Sequence, residues 1–439
     1  MCRTGPRAAA LAAWLDSDRL TTAAIVWACV TRLAAAMLPV VPVSDFLFYH
    51  THAVTIANGE GYVTNGQPTA FWPVGQSAFL GLLYRIFGAD PLVGRLSGVV
   101  LGGVEAFAAH RVAFALTRSR RAANLALLLY VLHPAWILRT AILASENTLI
   151  PLLLVGALAQ WHQGTTRASR TGSLLLSGLA YGAAVLIKPQ FLFVPVVLAL
   201  ASRPDPRPWR KRWARGLALL AFIAVIAAPW SIRNSLHFGR FVGLSTNGGV
   251  TLFAGNNRQA TGTSTLTPEY EAIALHTPQW NEVERDEHAR TAALKWIAHN
   301  PGPWLFLAPF KMWHMFARDE ETLYHMTRGL PDMSPSVSRA YFTLHYTNWA
   351  GWLAFLACFL LAALLTLWRI RNQRPSADPV GLAVFACTCG FYLIFHGQPR
   401  YHAPLEAWMA PYVAWLLLEW MGPDTATLSS APPAPTAAT

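Results

Sequence analysis

The chain has 439 residues, of which 54% are hydrophobic and only 13% charged, with a formal net charge of +12. That balance is too apolar for an ordinary soluble domain, and the apolar residues come in runs rather than stripes, the mark of a polytopic membrane protein. The positive charge does not argue for nucleic acid, because Lys and Arg sit in short loops between apolar runs and form no single basic face.

Arg3, Arg7 and Arg19 precede an apolar stretch over 21–43 that is long for a signal-peptide core, so it reads as a retained first span behind a cytoplasmic N-terminus of residues 1–20. A helix needs about 20 apolar residues to cross the hydrocarbon core. On that criterion about ten spans are expected, the others near 92–116, 122–138, 147–161, 173–187, 190–202, 214–230, 341–368, 379–396 and 404–421. A cytoplasmic N-terminus makes "TRSRR" (117–121), "HQGTTRASRTG" (162–172), "SRPDPRPWRKRWAR" (202–215) and "RIRNQR" (369–374) cytoplasmic loops, all short and basic. Residues 71–88 are also apolar, but counting them as a span would invert every later loop. They read instead as an interfacial or re-entrant helix on the outer face.

The transmembrane core is thus expected over 21–230 and 341–421, with two outward-facing polar segments at 44–91 and 231–340. In the second, Thr277 and Pro278 look like the N-cap and first residue of a helix ending near 299–303. Residues 304–317, apolar with Lys311 and His314 embedded, read as a helix lying on the membrane surface. Residues 422–439 read as a disordered cytoplasmic tail. Cys2, Cys29, Cys358, Cys387 and Cys389 have no metal-ligand spacing, and no disulfide framework is expected.

The acidic residues gather on the outer side, several where an external loop meets a span. Asp45 ends the first span, on a stretch with no Lys or Arg up to Gly75, and Glu146 begins the fourth. Arg139, Lys188, Arg233 and Arg400 lie at the same depth. Cations there would bind an anionic lipid head group, Arg offering paired donors to phosphate oxygens, and a nearby carboxylate could accept a proton from an incoming hydroxyl. The plainer readings are that end-of-span cations snorkel and that Glu146 caps its helix. Glu105, mid-span with His110 and Arg111 nearby, reads as a structural contact inside the membrane, and 281–290 as a solvated helix face.

The stretches "SDFLFYHTHAVTIANGEGY", "PTAFWPVGQSAFLGLLYRIFG", "LASENTLIPLLL", "PWSIRNSLHFGRFVGLSTNGGVTLFAGNN" and "PRYHAPLEAWMAPYVA" follow one another in an order and sidedness that resembles the GT-C superfamily of integral membrane glycosyltransferases. Within it, the chain resembles the bacterial branch related to protein O-mannosyltransferases and the lipid A aminoarabinose transferase. The resemblance implies an all-α GT-C fold and transfer of a sugar from a polyprenyl-phosphate donor, outside the cytoplasm, to a lipid, glycan or protein acceptor. It puts the enzyme in a bacterial cytoplasmic membrane. By position, Asp45 corresponds to the family's proposed catalytic base and Glu146 to its second acidic residue. Lys188, Arg233 and Arg400 become candidates for the donor phosphate, with Tyr49, His50, Tyr401, His402 and Asn257 lining the substrate. A divalent metal stays open: Asp45, Glu146 and external His residues could supply ligands, but no spacing decides it. The aminoarabinose branch carries a Lys-Pro-Pro element in its first loop, and "FWPVG" (71–75) here has no Lys, which argues against that activity.

The expected reaction is a single displacement that inverts the anomeric carbon, with Asp45 taking the acceptor proton and cations stabilising the leaving phosphate. A flippase of lipid-linked saccharides and a non-catalytic scaffold are the competing readings. The absence of an internal repeat and the large external segment weigh against a transporter.

Overall fold

The structure, a computed structural model, describes residues 6–162, 166–201, 207–264, 267–274, 279–330 and 334–421. The expected tail (422–439), the Thr277–Pro278 helix start, Cys2 and the middles of two basic loops (163–165 and 202–206) lie outside the described residues.

The described chain is almost wholly helical, its one strand pair being Val63–Thr64 against Gln67–Pro68. Five helices are long and apolar enough to cross a membrane: Asp18–Ala36, Pro91–Thr117, Arg167–Ile187, Trp209–Phe238 and Pro335–Arg371. Each overlaps an expected span, but the first stops at Ala36 and not near 43, so Asp45 does not end that span and begins the separate helix Ser44–Ala57. A sixth, expected over 122–138, is a helix pair bent by 61° between Val131 and Pro134. Pro134 forces the break, since a proline in mid-helix removes a backbone bond and clashes with the preceding turn. The remaining expected spans are shorter or interrupted: Glu146–Trp161 has 16 residues, Val380–Ile394 has 15, and the 190–202 span resolves into a 3-10 turn and the eight-residue helix Val194–Ala201. Helix Ala403–Met421 is buried on nearly every side by its neighbours.

Large apolar residues such as Val100, Phe107, Leu217, Val225, Leu364 and Leu367 stay exposed on the long helices. A soluble protein would bury such a belt; facing lipid it costs nothing, so the chain is a multi-pass membrane protein. Small residues bring the helices together. Gly94, Gly98 and Gly102 recur every fourth residue on Pro91–Thr117 and form a groove against Leu143, Thr140 and Arg32. A Cβ at Gly102 would lie 2.3 Å from Arg32 Cδ.

Helix Gly75–Phe87 is 13 residues long, about 20 Å at 1.5 Å per residue and short of the ~30 Å hydrocarbon core, which fits its reading as non-spanning. It packs on helix Ser44–Ala57. Its first residue abuts the last turn of Arg167–Ile187: a Cβ at Gly75 would lie 2.6 Å from the Leu186 carbonyl carbon. Because the obstacle is backbone, Gly75→Val should force the two helices apart, costing about 1–3 kcal/mol as overpacking does. The check is the unfolding midpoint of the detergent-solubilised protein against wild type; an unchanged midpoint would show that the contact yields.

In the segment 231–340, helix Glu282–His299 starts later than expected. Asn281 is its N-cap, forming a reciprocal capping box with Glu284. Helix Pro301–Phe316 corrects a simple surface reading. Leu305, Phe306 and Trp313 are exposed, but Leu307, Lys311 and Met315 are buried at four-residue spacing. Lys311 Nζ donates to Asn256 Oδ1 (2.8 Å) and to the Leu393 carbonyl (3.0 Å), so that face docks into the protein. Gly397 permits this docking, since a Cβ there would collide with the Lys311 carbonyl oxygen at 1.8 Å. The segment also folds over the first loop, where Val41 N–H donates to the Gly329 carbonyl (2.8 Å).

Candidate active site

Four turns of chain, distant in sequence, deliver charged groups to one cleft lined by Arg139, Glu146, Asp319, Glu321, Arg400 and Glu406. Asp45 enters on the first turn of helix Ser44–Ala57, behind Ser44, whose backbone is left-handed (φ 53°). A non-glycine residue in that region is under strain of the kind found at functional sites. Arg139 and Glu146 flank a second such residue, Leu143 (φ 57°), which turns the chain between them. Lys188 stands just past helix Arg167–Ile187, extended at φ −141° because Pro189 disfavours helical backbone before it. Arg400 lies in the 3-10 turn Pro399–Tyr401, after Gly397.

In the cleft Arg400 Nη1 holds Asp45 Oδ2 at 2.5 Å, and both side chains keep about a fifth of their surface open (17% and 20%). Lys188 Nζ is bonded to Glu146 Oε1 beside them. The Tyr49 phenol, one turn beyond Asp45, is surrounded by Asp45, Arg400, Glu146 and the Ser145 hydroxyl; burial and the carboxylates push its pKa up. Tyr401 stacks on Tyr392 (4.2 Å between centroids), with the Arg400 guanidinium 5.9 Å and Lys188 Nζ 6.0 Å from its ring. Burial lowers the Lys188 ammonium, and Glu146 opposes this. Burial disfavours the Arg400 cation too, but Asp45 more than restores it.

Of the expected site residues, then, Asp45, Glu146, Lys188, Arg400, Tyr49 and Tyr401 come together. Four do not. Arg233 donates to the Thr69 (2.7 Å) and Tyr62 (3.0 Å) carbonyls and lies over Trp230, so its fork ties down the first loop and is not offered to a phosphate in the cleft. His50 is rotated away from Asp45 and Tyr49 on its helix, and its Nδ1 meets the Tyr84 hydroxyl at 2.9 Å. Asn257 closes a local turn, donating to Phe253 O and accepting from Gln259 N–H. His402 is fully buried and points away from Asp45, with Nε2 3.3 Å from Asp319 Oδ1.

The sequence reading left out His133, Asp319, Glu321 and Glu406. Glu406 follows His402 by four residues, a helical spacing that was legible. Asp319, inside the run "ARDEE", and His133, before a proline, carry no periodic signal. Burial would raise the Asp319 carboxyl, but His133, His402 and Asn348 bring it down to about 2. Among the described residues, the group of at least three His, Cys, Asp or Glu able to share a metal ion is His133, Asp319 and Glu406, not a set built on Asp45 and Glu146.

Residues 72–232, a little over a third of the chain, match the family described as dolichyl-phosphate-mannose-protein mannosyltransferase. That is a glycosyltransferase family. The matched segment contains Glu146 and Lys188 and supports the resemblance to membrane glycosyltransferases drawn from the sequence. Two solved structures are similar across most of the chain. The crystal structure of ArnT from Cupriavidus metallidurans bound to undecaprenyl phosphate has 15% identity, covers 89% of this chain and 77% of that chain, and gives a TM-score of 0.41. The apo state of the same protein has 15% identity, covers 90% and 76% of the two chains, and gives 0.38. No curated protein matches the chain.

Proposed function

We propose that this protein transfers a glycosyl group from a polyprenyl-phosphate donor to an acceptor hydroxyl at the outer face of the cytoplasmic membrane, with inversion and with Asp45 as general base. The observation that carries this reading is the pair Asp45–Arg400, a partly open carboxylate and guanidinium at a cleft that Arg400 lines together with Glu146, the partner of Lys188. The family matched by residues 72–232 is itself named for a polyprenyl-phosphate-linked sugar.

The pair suits both halves of the reaction. With no donor bound, Arg400 occupies the Asp45 carboxylate. A donor phosphate competes for the guanidinium fork, which leaves the carboxylate to the acceptor hydroxyl. The acceptor oxygen then attacks the anomeric carbon opposite the phosphate, its proton passes to Asp45, and the C–O bond to phosphate breaks. The leaving group turns from phosphodiester to phosphate monoester and gains negative charge, which Arg400 and Lys188 stabilise without a general acid. Holding both partners at the membrane surface contributes the orientation. Glu146 keeps Lys188 charged and placed.

The test is transfer in proteoliposomes of the purified protein, using a panel of radiolabelled polyprenyl-phosphate sugars with lipid, glycan and peptide acceptors. Wild type should form a new glycosidic bond with one donor. Arg400→Lys, which keeps the charge and loses the fork, should raise the donor KM roughly 10- to 100-fold. Labelled lipid crossing the bilayer with no new bond would establish a flippase instead.

A further inference from the structure

The inner end of the cleft holds a second cluster, and its hydrogen bonding does not close. Helix Ala403–Met421 contributes Glu406, the turn before helix Glu321–Gly329 contributes Asp319, and the break in the bent helix pair contributes His133. His402, just before that first helix, stacks on Trp352 with centroids 4.0 Å apart. Its Nδ1 donates to the Met315 carbonyl at 2.7 Å, while its Nε2 is hydrogen-bonded to Asp319 Oδ1 at 3.3 Å and lies 3.8 Å from Glu406 Oε1. His133 differs: its Nε2 is 3.1 Å from Asp319 Oδ2 and its Nδ1 is 3.8 Å from Glu406 Oε2, yet neither nitrogen makes a hydrogen bond, and on a neutral ring one of them is a lone pair. Glu406 is 5% exposed, lines the cleft, and is given no hydrogen bond among the described residues. Lone pairs aimed at carboxylate oxygens repel unless something positive stands between them.

We infer that His133, Asp319 and Glu406 bind a divalent transition-metal cation, zinc first, with His402 holding Asp319 in place. One ligand atom from each of His133, Asp319 and Glu406 falls within 4.8 Å of the others. Cation–ligand bonds of about 2.0–2.2 Å place neighbouring ligand atoms roughly 3–3.5 Å apart, close to the 3.1 and 3.8 Å that separate the His133 nitrogens from Asp319 and Glu406. An imidazole and two carboxylates are a donor set that suits zinc or manganese and leaves a further position open. Outer contacts of the expected kind are present: the Met315 carbonyl orients His402, and Asn348 Nδ2 donates to Asp319 Oδ2 at 3.2 Å. A proton shared among the four groups is the competing account, and it differs in what the protein takes up.

Full-length protein in detergent, stripped with chelator and dialysed, would be titrated calorimetrically with Zn2+ and with Mn2+, and its bound metal measured by mass spectrometry. Wild type and Glu287→Gln, an exposed control, should take up one equivalent. Glu406→Gln and Asp319→Asn should each weaken binding at least 10-fold. Uptake that is absent in wild type, or equal in wild type and both variants, overturns the site in favour of a shared proton. If both variants fail to fold, the unfolding midpoint of wild type decides: it should rise with Zn2+ concentration, and a flat response refutes the site. None of these readouts requires sugar transfer, so the result stands apart from the fate of the proposed reaction.

Discussion

Asp45→Asn should lower sugar transfer by about 100- to 10,000-fold, the usual worth of a positioned general base, while the protein folds and stays in the membrane. Asparagine keeps the shape of the side chain and an oxygen for Arg400, but it cannot take up the acceptor proton. The loss should therefore fall on kcat. The donor KM should stay level or drop, because a neutral partner releases the Arg400 fork to the lipid phosphate more readily than the carboxylate now 2.5 Å from it. Asp45→Glu retains the charge one methylene further along and should keep a fraction of the rate. Transfer at the wild-type rate by Asp45→Asn would remove Asp45 as the base. Suspicion would then move to Glu146, the other carboxylate beside Arg400, now bonded to Lys188.

The largest stability effect should come from Glu105→Ala. The Glu105 carboxylate is fully buried and accepts from Arg32 Nη2 (3.2 Å), Arg139 Nη2 (2.8 Å), Trp136 Nε1 (2.9 Å) and the Tyr130 hydroxyl (2.5 Å). Arg32 also lies 3.7 Å from the centre of the Trp136 ring and donates to Thr140 Oγ1 at 2.9 Å. Removing the one anion leaves two guanidiniums buried without a charge partner, a loss of about 3–5 kcal/mol. Glu105→Gln should cost less, since one carbonyl acceptor remains. The measurement is the unfolding midpoint in detergent beside that of Glu287→Gln. A Glu105→Ala midpoint equal to the control would show that Arg32 and Arg139 find other partners. Because Arg139 also lines the cleft, this network ties the cleft to helices Asp18–Ala36 and Pro91–Thr117.

Much of this was legible in the sequence. Runs of about 20 apolar residues located the long helices, since the bilayer sets the length and leaves the backbone no partner but its own helix. Pro189 ended a helix at Lys188, and the lone Asp45 past a span end stood out because nothing nearby neutralised it. The structural role of Glu105 was readable too, but its partners were not. His110 and Arg111 are five and six residues on, turned to other faces of the helix, while Arg32 and Arg139 arrive from other helices. The same limit separated the candidate cations. Arg233 and Arg400 both follow a proline near a span end, and only packing sends one to backbone carbonyls and the other to Asp45.

By itself, then, the sequence determined the membrane class, the long helices and the carboxylates that stand out between them, because these follow from local composition and from the length scale of the bilayer. Tertiary structure alone decided which charges meet. Asp45 with Arg400, and His133 with Asp319 and Glu406, are pairings across hundreds of residues, set by where helices break and which glycines let them touch. No pattern along the chain encodes such distances, because the energy that selects them appears only when the partners are desolvated together.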